Sequence, residues 1–206
     1  MSNSLCPSSQ PRGLLIVLSG PSGAGKDSVI NRLRDTRMPL QFITTVTTRQ
    51  RRHNEVDRVH YHFVSQQEFQ TMVDNSELLE WARVYDNWYG VPRQAVRESL
   101  EKGQDTLVKV DVQGAATIKK IVPEAVFIFL TAPCIDDLGY RLTKRHTETP
   151  ADYNLRLGMA RSEFEKLPLF DYIVFSRWDE IDRAAGDIRA IITAEKCRVN
   201  PRQISL

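Results

Sequence analysis

Residues 14–28 carry the sequence Leu-Leu-Ile-Val-Leu-Ser-Gly-Pro-Ser-Gly-Ala-Gly-Lys-Asp-Ser. The run begins with apolar residues typical of a buried strand and continues directly into a glycine-rich segment. Its three glycines allow successive backbone N–H groups to turn towards an anion, and Lys26 can reach the β- and γ-phosphates of a nucleotide. A helix predicted to begin near Gly25 directs the positive end of its dipole to the same point. The sequence therefore predicts a phosphate-binding loop between a strand and a helix.

This loop departs from the usual pattern at one position. The motif places a serine or threonine after the lysine, where its hydroxyl binds Mg²⁺, but this chain has Asp27 there and Ser28 one position later. A carboxylate beside a triphosphate is repelled unless a cation lies between them. We predict that Asp27 acts through Mg²⁺ or its water shell, with Ser28 as the alternative metal ligand. The predicted ATP-binding residues are Gly20, Pro21, Ser22, Gly23, Ala24, Gly25, Lys26, Asp27 and Ser28.

The composition favours a single intracellular unit. The chain has 206 residues, of which 41% are hydrophobic, and this is enough for one substantial core. The formal net charge of +2 gives no indication of a nucleic-acid or membrane partner. Cys6, Cys134 and Cys197 lack metal-ligand spacing and fit a reducing compartment. Residues 1–12 resemble a mobile tail rather than a signal peptide, so we expect a cytoplasmic protein.

Strand-like and helix-like segments alternate beyond the loop. Residues 106–112, 125–130 and 172–175 are apolar strand candidates, and helical stretches separate them. Such alternation is typical of a parallel sheet with helices on both of its faces. We therefore predict an α/β fold built on a P-loop core.

Residues 42–92 differ in character, because they are rich in threonine, aromatic and charged residues. Within them, Ser65 and Glu68 have the spacing of a capping box, which predicts the start of a helix. Short extended runs lie on either side of this helix. We predict a small mixed subdomain inserted at residues 42–92 into a core formed by residues 13–41 and 93–206.

The insert contains a crowded group of arginines at residues 45–52, which read Thr-Val-Thr-Thr-Arg-Gln-Arg-Arg. For an isolated trio of arginines, a solvated basic loop is the simplest interpretation. Arginine is also the residue best suited to bidentate phosphate contacts, and threonine and tyrosine hydroxyls nearby supply further donors. A second phosphate-binding site is therefore the competing interpretation.

Several motifs together resemble the guanylate kinase family, and the resemblance extends from about Gly13 to the last predicted helix. The matching segments are residues 20–26, 47–52 with Glu55, 61–65, 79–82, 88–90, 110–114 and 145–149. The resemblance implies a P-loop kinase that transfers the γ-phosphate of ATP to GMP, and to dGMP, in purine nucleotide metabolism. It also implies Mg²⁺ as the cofactor that accompanies ATP.

The resemblance further implies an acceptor site for GMP. The family positions that bind GMP correspond to Thr45, Arg49, Arg52, Tyr61, Glu80, Tyr89 and Asp111. The two arginines and two tyrosines would hold the phosphate, since forked guanidinium groups and phenols suit a dianion. The two carboxylates would accept the N1–H and N2–H donors of guanine, and Thr45 would donate to O6 or N7. An alternative role for Asp111 is a Walker-B-like contact with Mg²⁺ through water.

The donor side requires positive charge as the phosphoryl group moves. The resemblance assigns this catalytic role to Lys26, Arg145 and Arg156, and Arg141 is a further basic position of the family. Residues 146–154 would form a short lid that brings arginines onto the phosphates and excludes water. Ordinary surface arginines are the alternative, which for Arg141 is nearly as well supported. A general base is not required, because the acceptor is already a phosphate oxygen.

Departures from the usual family pattern leave two other functions open. They are Asp27, Thr45 in place of serine, Val91 where a hydroxyl residue is usual, Lys109 where an acidic residue is common, and Ser176-Arg177 in place of Asn-Asp. One alternative is a related kinase of a sugar phosphate or another nucleotide. The other is a non-catalytic guanylate-kinase-like module that binds proteins, although we would expect such a module to lose Lys26 or the lid arginines.

Overall fold

The computed structural model describes residues 13–53, 55–84, 86–143, 158 and 160–206. Within these ranges the strands are β1 Leu15–Ser19, β2 Leu40–Phe42, β3 Val46–Thr47, β4 His62–Phe63, β5 Leu78–Val84, β6 Asn87–Pro92, β7 Asp105–Lys109, β8 Val126–Thr131 and β9 Tyr172–Phe175. The labelled helices are α1 Lys26–Asp35, α2 Gln66–Asp74, α3 Arg93–Glu101, α4 Val112–Ile121, α5 Ile135–Thr143 and α6 Ile181–Lys196. Residues 160–164 are also helical, and a 3₁₀ helix lies at Leu167–Leu169. Over the described ranges, no helix combines the length and the apolar character needed to cross a membrane.

Five of the described strands form a parallel sheet in the order β2-β7-β1-β8-β9. β1 pairs in parallel with β7 on one side and with β8 on the other. β2 extends the sheet beyond β7, and β9 extends it beyond β8, both again in parallel. The phosphate-binding loop therefore follows the central strand of the sheet, at its carboxyl edge, where ligands of such sheets bind.

The central strand β1 buries side chains on both faces of this sheet. Ile16 packs with apolar residues of α1 and α6, including Val29 and Ile188. The next residue, Val17, packs in a separate cluster with residues of α3 and α4, including Ile118. Successive side chains of a strand point to opposite faces, so a strand covered on both faces is apolar throughout. The predicted parallel sheet with helices on both faces is confirmed.

A second sheet of four strands has the order β4-β3-β6-β5 among the described residues. β3 pairs in parallel with β4 but antiparallel with β6, and β5 and β6 are antiparallel. Helix α2 packs on this sheet through Phe69. The predicted capping box starts α2, because the Glu68 N–H donates to Ser65 Oγ at 3.1 Å and the Ser65 N–H donates to Glu68 Oε2 at 2.7 Å. The described strands between residues 46 and 92 therefore form a separate mixed sheet.

The strand predicted at residues 106–112 is shorter in the structure. β7 runs from Asp105 to Lys109, and Val112 is the first residue of α4. Asp111 caps this helix, since its Oδ1 accepts the backbone N–H of Gly114 at 2.8 Å. Val112 is fully buried at the start of this helix. An apolar residue is expected in a buried strand as well as in a buried helix turn, so the apolar run predicts a strand that is too long.

Candidate functional site

The loop at residues 20–25 joins β1 to α1 and has the backbone that its glycines predict. Gly20 adopts a φ of 141°, and a Cβ atom there would lie 1.9 Å from the carbonyl oxygen of Leu130. Gly25 adopts a φ of 88° immediately before Lys26, the first residue of α1. Glycine tolerates both features, whereas other residues would clash or be strained. The first turn of α1 therefore begins directly at the loop, and the backbone N–H groups of a helix start can bind an anion there.

The Lys26 side chain lies over this loop. Its ammonium group donates hydrogen bonds to the carbonyl oxygens of Gly20 and Pro21, the second at 3.1 Å. Burial lowers the pKa of Lys26, although the charges of Glu163 and Asp27 act in the opposite direction. Burial raises the pKa of Glu163 to about 7, and Lys26 opposes that change. Lys26 is thus held at the loop by carbonyl groups that an incoming phosphate can replace.

Asp27 forms an ion pair that the sequence analysis did not predict. Lys109 Nζ lies 2.5 Å from Asp27 Oδ1 and donates a hydrogen bond to the Tyr61 hydroxyl at 2.8 Å. The same ammonium group lies 4.0 Å from the centre of the Tyr61 ring. Lys109 is the last residue of β7, whereas Asp27 is in the first turn of α1. Two departures from the usual family pattern therefore carry opposite charges and contact each other.

Arg49 is held by aromatic rings and by a carboxylate. Its Nη2 lies 2.7 Å from Glu55 Oε1, and its guanidinium carbon lies 5.3 Å from the ring centre of Tyr61 and 5.7 Å from that of Phe63. Glu55 Oε2 also accepts the backbone N–H of Arg52 at 2.9 Å. Burial alone would raise the pKa of Glu55, but these hydrogen bonds lower the pKa overall. Glu55 therefore orders the segment that carries both predicted phosphate-binding arginines.

A cavity of about 230 Å³ brings the two halves of the predicted site together. The predicted site residues that line it are Asp27, Thr45, Arg52 and Tyr61. Lys109 and Glu55 also line it. Tyr89 lies next to this group, with its ring edge-on to that of Tyr61 at a centroid distance of 6.1 Å. The start of α1 and the arginine-bearing segment therefore share one cavity.

Glu80 is a buried carboxylate with an oxygen that lacks a donor. It lies on β5 and is only 4% exposed, and its Oε2 has no hydrogen-bond partner among the described residues. A Cβ atom on Gly114 would come within 2.6 Å of this oxygen, so Glu80 lies against the start of α4. Burial and, to a smaller extent, Asp111 raise the pKa of Glu80 to about 8. A buried acceptor without a donor is costly, which favours a donor-bearing ligand at this point.

The other two predicted base-binding residues have partners within the chain. Asp111 Oδ1 accepts the N–H of Gly114 as the cap of α4, and the Gln113 amide lies 3.4 Å from Oδ2. The Thr45 hydroxyl donates to the carbonyl oxygen of Lys109 at 3.2 Å. Asp111 therefore has a structural role besides any role in binding. The Thr45 hydroxyl would have to turn away from this carbonyl group in order to donate to a base.

A second cavity, of about 450 Å³, lies next to the phosphate-binding loop and is lined in part by Tyr140, Arg141 and Trp178. Arg141 contacts the loop, because its Nη1 donates to the Ala24 carbonyl oxygen at 3.4 Å and to the Ser176 hydroxyl at 3.4 Å. Its guanidinium carbon lies 5.6 Å from the ring centre of Trp178. Aromatic and guanidinium planes of this kind can stack on a flat heterocycle.

Part of the predicted donor site falls outside the described residues. This applies to Arg145, to Arg156 and to the predicted lid at residues 146–154. Of the predicted donor-side basic residues, Lys26 and Arg141 are the ones that the structure places, and both contact the loop.

Three further residues lie at the site without a predicted role. Glu55 belongs to one of the matching motifs, and its pairing with arginine could have been anticipated from that position. The sequence indicates Lys109 only as a departure from the family pattern, because its partner Asp27 is 82 positions away. Glu163 belongs to none of the motifs, and its proximity to Lys26 depends entirely on the fold.

The chain is similar to known proteins in both its sequence and its structure. The sequence profile described as "Guanylate kinase" matches residues 12–195. A guanylate kinase of Caldanaerobacter subterraneus subsp. tengcongensis is 43% identical over 92% of this chain and 91% of its own, and guanylate kinase 2, chloroplastic/mitochondrial, of Oryza sativa subsp. japonica is 42% identical over 100% and 72%. The crystal structure of guanylate kinase from Anaplasma phagocytophilum has a TM-score of 0.75 at 30% identity, covering 92% of this chain and 89% of that one. This chain belongs to the guanylate kinase family.

Proposed function

We propose that this protein is a guanylate kinase, which transfers the γ-phosphate of ATP to GMP to give ADP and GDP. The observation that carries the proposal is the buried Glu80 carboxylate, whose Oε2 has no partner among the described residues. Guanine presents N1–H and N2–H donors on one edge, whereas adenine has no donor at those positions. Glu80 would pair with guanine, and adenine would leave it unpaired at a cost of about 1–3 kcal/mol.

The phosphate of GMP would bind between the arginine-bearing segment and α1. Arg52 and Tyr61 line the cavity there, and Arg49 is already oriented by Glu55. Together with Tyr89, these groups would orient the dianion so that one oxygen points at the γ-phosphorus of ATP. Proteins catalyse phosphoryl transfer mainly by orienting the reacting groups and by stabilising their charge. Residues 42–92 are the GMP-binding insert of this proposal.

The triphosphate of ATP would bind at the loop of residues 20–28. Backbone N–H groups at the start of α1 would donate to its oxygens, and Lys26 would exchange its carbonyl partners for phosphate oxygens. The adenine would occupy the second cavity, stacked between aromatic and guanidinium groups. Arg145 and Arg156 would add positive charge as the phosphoryl group moves, and closure of the lid would exclude water.

The oxygen donors at the start of α1 fit Mg²⁺. Mg²⁺ keeps several of its waters and uses one or two protein ligands in addition to the substrate phosphates. Asp27 and Ser28 would provide these ligands. The Asp27 side chain is 65% exposed but also pairs with Lys109, so a hydrated ion would share this carboxylate with the ammonium group. Over the part of the chain that the structure describes, no group of three or more His, Cys, Asp or Glu residues forms a closed metal site. Mg²⁺ held by Asp27 and Ser28 would supply positive charge to the triphosphate.

The proposal is tested by following ADP release from ATP and Mg²⁺ with GMP, dGMP, AMP, UMP and ribose phosphates as acceptors. We expect turnover of GMP and dGMP, with kcat/KM for AMP lower by about 100-fold or more. Lys26→Met should abolish turnover, whereas Lys119→Met, which alters a lysine paired with Asp171 away from the loop, should not. Binding of GMP without turnover would contradict the enzyme assignment. Preferential turnover of a ribose phosphate would favour a sugar-phosphate kinase instead.

A further inference from the structure

We propose that Lys109 binds the phosphate of the acceptor nucleotide directly, beside Arg52 and Tyr61. The inference rests on the proposed GMP site and adds to it a residue that the family resemblance does not assign. An acidic residue is common at this position in the family, so a direct phosphate contact would be a feature of this chain and of relatives that share the lysine. The ion pair between Lys109 and Asp27 is what makes the contact possible.

The Lys109 ammonium group is held in one place at the cavity. Its side chain is only 14% exposed, and its hydrogen-bond partners among the described residues are Asp27 Oδ1 at 2.5 Å and the Tyr61 hydroxyl at 2.8 Å. An ammonium group has three N–H donors, so one is left for a ligand. Lys109 lines the same cavity as Arg52, and its Nζ lies 2.8 Å from the Tyr61 hydroxyl, so a phosphate bound by that hydroxyl would lie close to this donor.

The charges around Lys109 also favour a phosphate. The carboxylate of Asp27 and the ammonium of Lys109 cancel, so an anion can approach Asp27 without net repulsion from the pair. When a dianion binds, Lys109 would share its charge between the phosphate and Asp27. Asp27 would still be stabilised by its place in the first turn of α1, where the helix dipole favours negative charge. An acidic side chain at position 109 would instead need a cation between itself and the phosphate.

A different role for Lys109 would be to act only through Tyr61, by fixing the direction of its hydroxyl group. The two roles predict different results when both residues are changed. If Lys109 acts only through the hydroxyl, its removal has no effect once Tyr61 has become phenylalanine. If Lys109 contacts the phosphate, its removal weakens binding by the same factor in both backgrounds.

The experiment measures the binding of GMP and of guanosine by calorimetry, without ATP or Mg²⁺, to the wild type, Lys109→Met, Tyr61→Phe and the double variant. We expect Lys109→Met to weaken GMP binding by about 10- to 100-fold, the size of a charge-assisted hydrogen bond. The same loss should persist in the Tyr61→Phe background, and guanosine binding should not change. Lys109→Arg should retain most of the affinity. Lys119→Met is the matched control, since Lys119 also lies near an aspartate and over an aromatic ring, with Nζ 4.3 Å from the centre of Phe127.

Three results would overturn the inference. The first is an unchanged GMP affinity in Lys109→Met. The second is a loss of GMP affinity that disappears when Lys109→Met is combined with Tyr61→Phe. The third is an equal loss of affinity for guanosine in Lys109→Met. Thermal unfolding of each variant shows whether Lys109→Met is folded, and if it is not, the Lys109→Gln variant replaces it in the same cycle. The proposed function has a separate readout, because it fails if the wild type itself does not bind GMP.

Discussion

Glu80 on β5 and Glu195 on α6 are buried to a similar degree but have different surroundings. Their exposed fractions are 4% and 1%. Glu195 accepts hydrogen bonds from Arg202 on both oxygens, each at 2.8 Å, and from the Tyr172 hydroxyl at 2.7 Å. Glu80 Oε2 has no such donor within the described residues. The described residues therefore supply donors for both oxygens of one carboxylate but none for an oxygen of the other.

The pKa values of the two carboxyl groups move in opposite directions. The hydrogen bonds from Arg202, joined by Tyr172, lower the pKa of Glu195 to about 2 in spite of its burial. Burial, with a smaller contribution from Asp111, raises the pKa of Glu80 to about 8. Burial penalises both charges, so the difference comes from the donors. Glu195 stabilises the fold when ionised, whereas an ionised Glu80 reduces stability unless, as proposed above, a ligand brings donors.

The largest effect is expected when Glu195 loses its partner. Arg202→Met leaves a buried carboxylate without its guanidinium group and also removes the hydrogen bond from Nη1 to the Ala125 carbonyl oxygen at 3.1 Å. Breaking such a buried pair costs about 3–5 kcal/mol. The free energy of unfolding, measured by urea denaturation at pH 7, should fall by this amount. The kcat/KM for GMP, measured well below the unfolding temperature, should not change.

Arg183→Met is the control for this prediction. Arg183 and Glu180 form a pair whose side chains are 64% and 45% exposed, and such surface pairs contribute about 0–1 kcal/mol. If the free energy of unfolding falls no more in Arg202→Met than in this control, the buried pair does not stabilise the fold. Glu195 and Glu80 would then not differ in their effect on stability.

The next largest effect concerns Glu80 itself. Glu80→Gln replaces a carboxylate acceptor by an amide that presents its own N–H donors to guanine. We expect the kcat/KM for GMP to fall by about 100-fold, or about 3 kcal/mol, while basal ATP hydrolysis changes little. Glu195→Gln, a substitution of the same chemistry at the other buried glutamate, should leave kcat/KM unchanged. Equal losses in the two variants would show that Glu80 has no special part in base recognition.

The sequence predicts the fold well because the relevant signals are local. The continuous apolar run before Gly20 indicates a strand covered on both faces, and Ser65 with Glu68 marks the start of α2. The main error, the overlong strand at residues 106–112, also has a local cause. An apolar residue such as Val112 fits a buried strand and a buried helix equally well, and the capping contact of Asp111 is what marks the start of the helix.

The site is less predictable, because its contacts join distant parts of the chain. The family resemblance nominates Glu80, but its burial depends on α4 packing against β5. The pair formed by Asp27 and Lys109 spans 82 positions, and neither residue alone indicates the other. Glu195 and Arg202 are close in sequence, yet the charged residues at the end of α6 have the pattern of an ordinary exposed helix. Their burial and pairing are therefore not apparent from the sequence. Packing between distant parts of the chain therefore decides which of these charged side chains are buried and paired.

A smaller effect should distinguish the two glutamates by the pH dependence of stability. Glu80 in the unfolded chain loses its proton near pH 4.5, whereas in the folded chain it keeps the proton up to about pH 8. Stability should therefore fall as pH rises between these values. Glu195 has the opposite effect, since its contribution is lost as pH falls from about 4.5 to about 2. Glu80→Gln should raise the free energy of unfolding by about 1–3 kcal/mol at pH 8 and by much less at pH 5. An equal gain at both pH values would contradict the raised pKa.

The smallest effect links the raised pKa of Glu80 to GMP binding. If the carboxylate must be ionised to accept the donors of guanine, GMP binding at pH 7 requires Glu80 to release its proton. The affinity should then rise by about tenfold per pH unit between pH 6 and pH 7.5 and level off near pH 8. Calorimetry in two buffers of different ionisation enthalpy should detect close to one proton released per GMP at pH 7. Protonation of the GMP phosphate also contributes in this range, and the Glu80→Gln variant measures that part alone. The wild type should release more protons than the variant, because only the wild type carries a carboxyl group that the ligand must deprotonate; equal release would show that Glu80 is already ionised before GMP binds.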